Sequence, residues 1–87
     1  MRYDGILDHD DVPSSDEPET LDVRDLPPPK PLKRTLEELQ SLPDGGVLVQ
    51  INDRLPQHLF ARLDDRGFAY RSTDGEPVYT AIWESES

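Results

Sequence analysis

A short apolar run, Val-Leu-Val-Gln-Ile at residues 47–51, constrains the fold of this chain more than any other feature. Its nearly continuous apolar character is typical of a strand buried in the centre of a sheet. A helical stripe precedes it, because Leu32, Leu36 and Leu39 recur at helical spacing. A second helical stripe follows it and consists of Leu55, Leu59, Phe60 and Leu63. The run therefore predicts a central strand between two amphipathic helices.

Three further segments predict strands. Residues 20–25 alternate apolar and polar side chains, and residues 68–73 and 77–84 are rich in aromatic and β-branched side chains. Asp74-Gly75 between the last two predicts a hairpin with a two-residue loop. The order β-α-β-α-β-β predicts an α/β (α+β) two-layer sandwich, in which a four-stranded mixed sheet carries two helices on one face.

Prolines and glycines mark the ends of the two predicted helices. The run Pro27-Pro28-Pro29-Lys30-Pro31 ends the first strand and fits only the first turn of a helix. We expect the second helix to start with Asp53 as its cap and Pro56 in its first turn. Gly67 suits the left-handed residue just past its end.

The composition limits the chain to one small domain, because it has 87 residues of which only 33% are hydrophobic. It has no cysteine, which excludes disulfides, thiolate nucleophiles and cysteine-bound zinc. Residues 1–19 are acidic, contain two prolines and predict a disordered tail, so the domain is expected over residues 20–87. No apolar stretch has the length of a membrane span, and the first residues do not resemble a signal peptide. A cytoplasmic location is therefore expected, with no membrane partner.

The charge balance narrows the choice of partners. With 19 acidic and 9 basic side chains, the net charge is -10, which disfavours binding to nucleic acid. The acids are rich in aspartate and the bases poor in lysine, a composition that suits a salt-rich cytoplasm where charges are screened. The alternative to a halophilic source is an ordinary acidic bacterial protein.

The chain resembles the TusA/SirA-like sulfur carriers, and more closely a family of uncharacterised TusA-like domains, some of which occur beside hemerythrin-like domains. The resemblance covers residues 20–84 and rests on four motifs, which are Leu21-Asp22-x-Arg24-x-Leu26-x-x-Pro29-x-Pro31, Leu42-Pro43-x-Gly45, Asn52-Asp53-Arg54-x-Pro56 and Arg66-Gly67-Phe68. It implies the fold but not the activity. Sulfur carriers bear a persulfide on the cysteine of a Cys-Pro-x-Pro box, and here Pro28 stands in place of that cysteine.

A first candidate site lies where the first strand meets the first helix. It comprises Arg24, Pro28, Pro29, Lys30 and Lys33, and Arg34 is a further cation near the same helix start. Cations near a helix N-terminus oppose the helix dipole, and a bound anion or acidic partner would relieve this. The alternative is that nearby carboxylates neutralise the bases locally, namely Asp22, Asp25 and Glu37.

A second candidate site follows the central strand. Asn52, Asp53 and Arg54 lie at its carboxyl end, and ligands of open α/β sheets favour the crevice beyond the carboxyl ends of strands. Together with Arg24 and His58 they are suited to a small polar ligand. The alternative is ordinary capping and turn chemistry.

Metal binding is not expected. His9 lies within the acidic residues 8–11, which suggests weak binding of a divalent ion at most, and a flexible acidic tail is the simpler interpretation. His58 has no histidine or cysteine near it in the sequence, and a structural zinc site needs about four ligands. No cofactor is expected either.

The predicted hairpin register places four aromatic side chains on one face of the sheet, namely Phe68, Tyr70, Tyr79 and Trp83. That face either packs on the helices as the core or stays open as an interface. From all these features we expect a non-catalytic cytoplasmic binding module that engages a protein partner or a small polar ligand. The alternative is an accessory protein in sulfur, redox or nitrogen-oxide metabolism.

Overall fold

The computed structural model describes Val12 and residues 18–27, 29–43, 45–73 and 75–85. The elements follow the predicted order β-α-β-α-β-β. They are β1 (Glu19–Asp22), α1 (Lys30–Gln40), β2 (Leu48–Asn52), α2 (Gln57–Arg66), β3 (Phe68–Ser72) and β4 (Val78–Glu84). Neither helix is long and apolar enough to cross a membrane in the part of the chain described.

The strands form one mixed sheet in the order β1-β2-β4-β3. β1 and β2 are parallel, and the other two pairs are antiparallel. All five residues of β2 are buried, so the prediction of a central strand is confirmed. Because β1 and β2 run in parallel, their carboxyl ends lie at the same edge of the sheet.

Both helices pack on one face of the sheet. Leu39 of α1 and Leu59 and Leu63 of α2 form one cluster with Leu48 and Ile82 of the sheet. The predicted two-layer architecture is therefore confirmed. Burial of these side chains is the main source of stability in a domain with so few apolar residues.

The opposite face of the sheet is also buried. Its cluster includes Val47, Val49 and Ile51, together with Tyr79 and Ala81 of β4. The same cluster contains Val12, which is only 6% exposed. Val12 belongs to the segment for which a disordered tail is predicted. Residues 1–11 and 13–17 lie outside the described residues, so the division at residue 20 stays a prediction.

The predicted grouping of four aromatic side chains on one face is wrong. Tyr70 pairs with Ile82, whereas the two-residue loop would pair it with Tyr79. The observed register thus differs from the predicted one by three residues. Because side chains alternate between the two faces of a strand, a shift by an odd number of residues exchanges the β4 side chains that share a face with a given β3 residue. Phe68 and Tyr70 therefore pack on the helix side, and Tyr79 and Trp83 lie on the opposite side.

The short hairpin does not form. The two-residue loop would pair Pro77 with Ser72, but the proline ring holds φ far from the extended value of an antiparallel strand and so disfavours Pro77 inside the ladder. Instead the pairing next to the loop is between Ser72 and Thr80, and the N–H of Thr73 donates to the carbonyl of Tyr79 at 2.9 Å. The connection is therefore longer than the Asp-Gly pair predicts.

The start of α2 also differs from its prediction, whereas the end agrees. The residue that precedes the helix is Pro56, and no side chain caps it, so Asp53 is not the cap. The reason is that Asp53, Arg54 and Leu55 form an irregular turn between β2 and the helix. Gly67 ends the helix in the left-handed conformation with φ of 79°, as predicted.

Candidate functional site

A groove opens at the edge where β1 and β2 end. Its walls are the turn after β1, the first turn of α1, the turn after β2 and the start of α2. Its volume is about 790 Å³, within the range of roughly 300–1,000 Å³ that is usual for small-molecule sites. The fold thus places a cavity where open sheets with parallel strands usually bind ligands.

The groove unites the two candidate sites found in the sequence. The residues of those sites that line it are Arg24, Pro29, Asn52, Asp53, Arg54 and His58. Lys30 and Lys33 are exposed on α1 and do not line the groove. Pro28 lies outside the described residues. Sequence analysis could find the lining residues because they lie at or beyond the carboxyl ends of β1 and β2, and the structure shows that these two strands are parallel neighbours.

Arg24 reaches the groove with its charge already paired. Its Nε and Nη2 donate to the two carboxylate oxygens of Asp22 at 3.0 and 2.7 Å. The backbone N–H of Arg24 also donates to Asp22 Oδ1 at 3.1 Å. The side-chain hydrogen bonds to Asp22, together with its charge, raise the pKa of Arg24. Neutralisation by Asp22, one part of the alternative interpretation of this site, is therefore observed.

Arg54 and His58, unlike Arg24, have side chains that are not paired with a carboxylate of the described residues. Within the described residues, neither side chain makes a hydrogen bond or an ion pair, and the same holds for the carboxylate of Asp53. All three residues are exposed. The outer part of the groove thus offers one guanidinium, one imidazole and one carboxylate for interactions with another molecule.

The floor of the groove is polar, and sequence analysis found Asn52 but missed Gln50. Gln50 and Asn52 of β2 line the groove and are only 1% and 8% exposed. Both point to the helix side, where an apolar residue would be the ordinary choice. The one available signal was a glutamine in the middle of an otherwise apolar strand. Its partner, Thr35, lies on another element and cannot be inferred from local sequence.

A continuous chain of hydrogen bonds links α1 to the turn after β2. The hydroxyl of Thr35 donates to the carbonyl of Pro31 at 2.8 Å, and Gln50 Nε2 donates to Thr35 Oγ1 at 2.7 Å. Asn52 Nδ2 donates to Gln50 Oε1 at 3.4 Å, and the backbone N–H of Arg54 donates to Asn52 Oδ1 at 3.4 Å. The chain fixes the orientation of both side-chain amides below the groove.

The side walls of the groove are apolar. They include Val23 and Leu26 after β1, Leu32 on α1 and Leu59 on α2. Leu55 completes them and is 44% exposed, although the sequence pattern placed it on the buried stripe of a helix. The helix starts after Leu55, which explains the difference. A ligand in the groove would therefore meet polar groups below and an apolar surface at the sides.

The described residues contain no group of three or more histidine, cysteine, aspartate or glutamate side chains placed to hold a metal ion. Residues 8–11, where weak binding of a divalent ion was considered, lie outside the described part of the chain.

Comparison with known proteins identifies a family. Residues 20–84 match the family described as "Uncharacterized conserved protein (DUF2249)". The chain belongs to the DUF2249 family. The matched range contains all the groove residues named above, so the groove is part of the DUF2249 domain. Neither a curated protein nor a solved structure shows a significant match to the chain.

Proposed function

We propose that this DUF2249 domain is a non-catalytic cytoplasmic binding module that engages a small polar ligand or a protein partner through the groove. The observation that carries the proposal is the groove itself. It brings residues from two separate segments of the chain together around one cavity, with Arg24 and Pro29 on one side and Asp53, Arg54 and His58 on the other. Cavities with apolar walls and a few convergent polar groups are the usual form of ligand sites.

The chemistry of the groove supports binding rather than catalysis. Among the described lining residues, Asp53 is the one carboxylate and His58 the one imidazole. Among the described residues, their side chains are not hydrogen-bonded to each other, and neither is hydrogen-bonded to a hydroxyl group that a base would activate. General acid–base and nucleophilic catalysis both depend on such positioned pairs.

The proposal has two forms, in which the groove engages either a small polar ligand or a protein partner. The exposed lysines near the groove support the second form, a protein partner. Lys30 and Lys33 lie in the first turn of α1, beside Pro29 and Pro31, both of which line the groove. The first turn contains no acidic residue. A protein with acidic side chains would meet little repulsion at this part of a strongly acidic molecule. In this form Pro28 and its neighbours replace the reactive cysteine of sulfur carriers with a contact surface.

A TusA-like relationship is part of the proposal, and so is the alternative role as an accessory protein in sulfur, redox or nitrogen-oxide metabolism. The element order and the Pro29-x-Pro31 start of α1 support the relationship. An association with hemerythrin-like domains would fit the accessory role. Because the chain has no cysteine, it would serve such a pathway by binding and not by carrying sulfur.

Adaptation to a salt-rich cytoplasm is the last element of the proposal, and it gives a direct prediction. Raising KCl from low to molar concentration should raise the melting midpoint, because salt screens the self-repulsion of the net charge of -10. A gain of about 1 kcal/mol corresponds to roughly 4–8 °C for a domain of this size. Near the isoelectric point of about 4.3, the gain should nearly vanish. A midpoint that is flat or falls with salt at pH 7 contradicts the halophilic assignment.

The binding proposal is tested by comparing charge reversals inside and outside the groove. Wild type, Arg54→Glu and Arg62→Glu are incubated with native lysate, and retained small molecules and proteins are identified by mass spectrometry. Arg62 is also exposed but does not line the groove, so it is the matched control. We expect Arg54→Glu to lose a species that wild type and Arg62→Glu retain. Equal retention by all three proteins, with equal thermal melts, would remove the groove as the binding surface.

The double change Lys30→Glu and Lys33→Glu in the same assay separates the two forms of the proposal. A protein partner that contacts the start of α1 should lose affinity for this variant. A small ligand held inside the groove should not, because neither lysine lines it.

A further inference from the structure

We propose that the groove selects an organic monocarboxylate, held with its carboxylate over Gln50 and Asn52 beside Arg54 and its apolar body against the leucine walls. The inference rests on the proposed binding function and names its ligand class. It follows from the direction of the hydrogen bonds in the floor, from the charges at the opening and from the shape of the walls.

The direction of the floor hydrogen bonds is fixed at both ends by backbone groups. The carbonyl of Pro31 can only accept, so the hydroxyl of Thr35 donates to it and receives its own hydrogen bond from Gln50. At the other end, the backbone N–H of Arg54 can only donate, so Asn52 Oδ1 accepts. Neither amide can therefore be turned over without breaking the chain.

This direction leaves hydrogen-bond donors available in the floor. Each side-chain amide nitrogen carries two N–H groups. Gln50 uses one of them toward Thr35, and Asn52 uses one toward Gln50. Both amide oxygens already accept a hydrogen bond within the chain. The floor is thus better suited to a ligand atom that accepts hydrogen bonds than to one that donates them.

The charges at the opening favour an anion with a single negative charge. Arg54 and His58 have no partner among the described residues, and a guanidinium suits the planar geometry of a carboxylate. Asp22 already neutralises Arg24, and the carboxylate of Asp53 lies at the same opening. A ligand with two or more negative charges would meet repulsion from Asp53 and from an acidic molecule as a whole.

The walls favour a ligand with an apolar body. Leu26, Leu32, Leu55 and Leu59 line a cavity of about 790 Å³, which is far larger than an inorganic ion requires. Exposed Leu55 would lose contact with water when such a body enters, and burial of apolar area stabilises the complex. An aromatic or aliphatic carboxylate therefore matches both parts of the groove.

Benzoate is a suitable probe, with benzamide as its neutral counterpart and inorganic phosphate as an anion without an apolar body. Each is titrated into the ¹⁵N-labelled chain, and the side-chain amide signals of Gln50 and Asn52 are followed by NMR. We expect saturable shifts of both signals with benzoate and at least tenfold weaker binding of benzamide and phosphate. Hexanoate is titrated in the same way as an aliphatic monocarboxylate. The proposal is overturned if benzamide binds as tightly as benzoate, if phosphate binds more tightly than benzoate, or if neither benzoate nor hexanoate binds.

Variants locate the binding on the protein. Arg54→Met should weaken benzoate binding at least tenfold, whereas the matched Arg62→Met should leave it unchanged. The double variant Thr35→Val, Gln50→Leu removes the floor donor of Gln50 and should also weaken binding. Equal affinity for wild type and Arg54→Met overturns the proposal. If benzoate and hexanoate fail while Arg54→Glu still loses a species captured from lysate, the ligand class is wrong and the binding function stands.

Discussion

Replacing Thr35 with valine is expected to lower the free energy of unfolding by about 1–3 kcal/mol, the usual cost of a buried polar group left without its partner. Thr35 is fully buried, and its Oγ1 is the acceptor for Gln50 Nε2 at 2.7 Å. Valine has nearly the same shape, so little of the loss comes from a cavity. The loss arises because the amide nitrogen of Gln50 keeps its burial and loses its hydrogen bond.

Adding Gln50→Leu to Thr35→Val should restore most of this stability. When both partners become apolar, neither member of the Thr35–Gln50 pair is left with an unpaired polar group. A remaining loss is the acceptor of Asn52 Nδ2, whose hydrogen bond to Gln50 Oε1 is long at 3.4 Å. Urea unfolding of wild type, both single variants and the double variant completes the cycle. A double variant that loses as much as the sum of the two single losses, or a neutral Thr35→Val, contradicts this account of the pair.

The outcome of this cycle bears on function. If an apolar pair is as stable as the polar one, folding alone does not require Gln50 in the middle of the central strand. The structure then offers a reason for it, because Gln50 lies in the floor of the groove with one amide N–H unused by the hydrogen-bond chain. A stable double variant that no longer binds benzoate would separate the two roles of the glutamine.

Local periodicity was sufficient to predict the order of the elements. The apolar run at residues 47–51 and the leucine stripes on each side of it specify a central strand between two helices, and the structure agrees. Much of the groove was also predictable. Residues just beyond neighbouring parallel strands meet at one edge, and Arg24 and Arg54 do so.

Features that depend on distant pairing were not predictable. Asp74-Gly75 indicates a tight hairpin, but the observed register pairs Ser72 with Thr80 and leaves Pro77, whose ring disfavours fully extended backbone, outside the ladder. Gln50 is conspicuous in an apolar run, yet the hydrogen bond that lets it be buried is made to Thr35, which lies 15 residues away in the sequence. The prediction of Asp53 as a helix cap failed because capping residues also favour turns, and here Asp53 lies in a turn that ends before the helix begins.

Val12 is the other position where a substitution should have a large effect. Changing Val12 to aspartate is expected to lower the free energy of unfolding by about 1.5–3 kcal/mol, the range for burial of a valine side chain. Val12 is 6% exposed and packs with Val47, Val49 and Ile51 on the face of the sheet opposite the helices. A carboxylate would not stay at that position, because its charge would lose its hydration there.

The loss of unfolding free energy in Val12→Asp has an upper limit, because residue 12 can move away from the face of the sheet and place the aspartate in water. The loss then equals what the contact of Val12 contributes to the fold. Gln40→Glu adds the same charge at the exposed end of α1 and serves as the control. Urea unfolding measures the loss, and amide exchange of Val49 and Ala81 reports whether their face of the sheet becomes accessible. Equal stability of Val12→Asp and Gln40→Glu would mean that Val12 contributes nothing, as expected if residues 1–19 are a disordered tail. A selective loss would mean that the folded unit extends before residue 20.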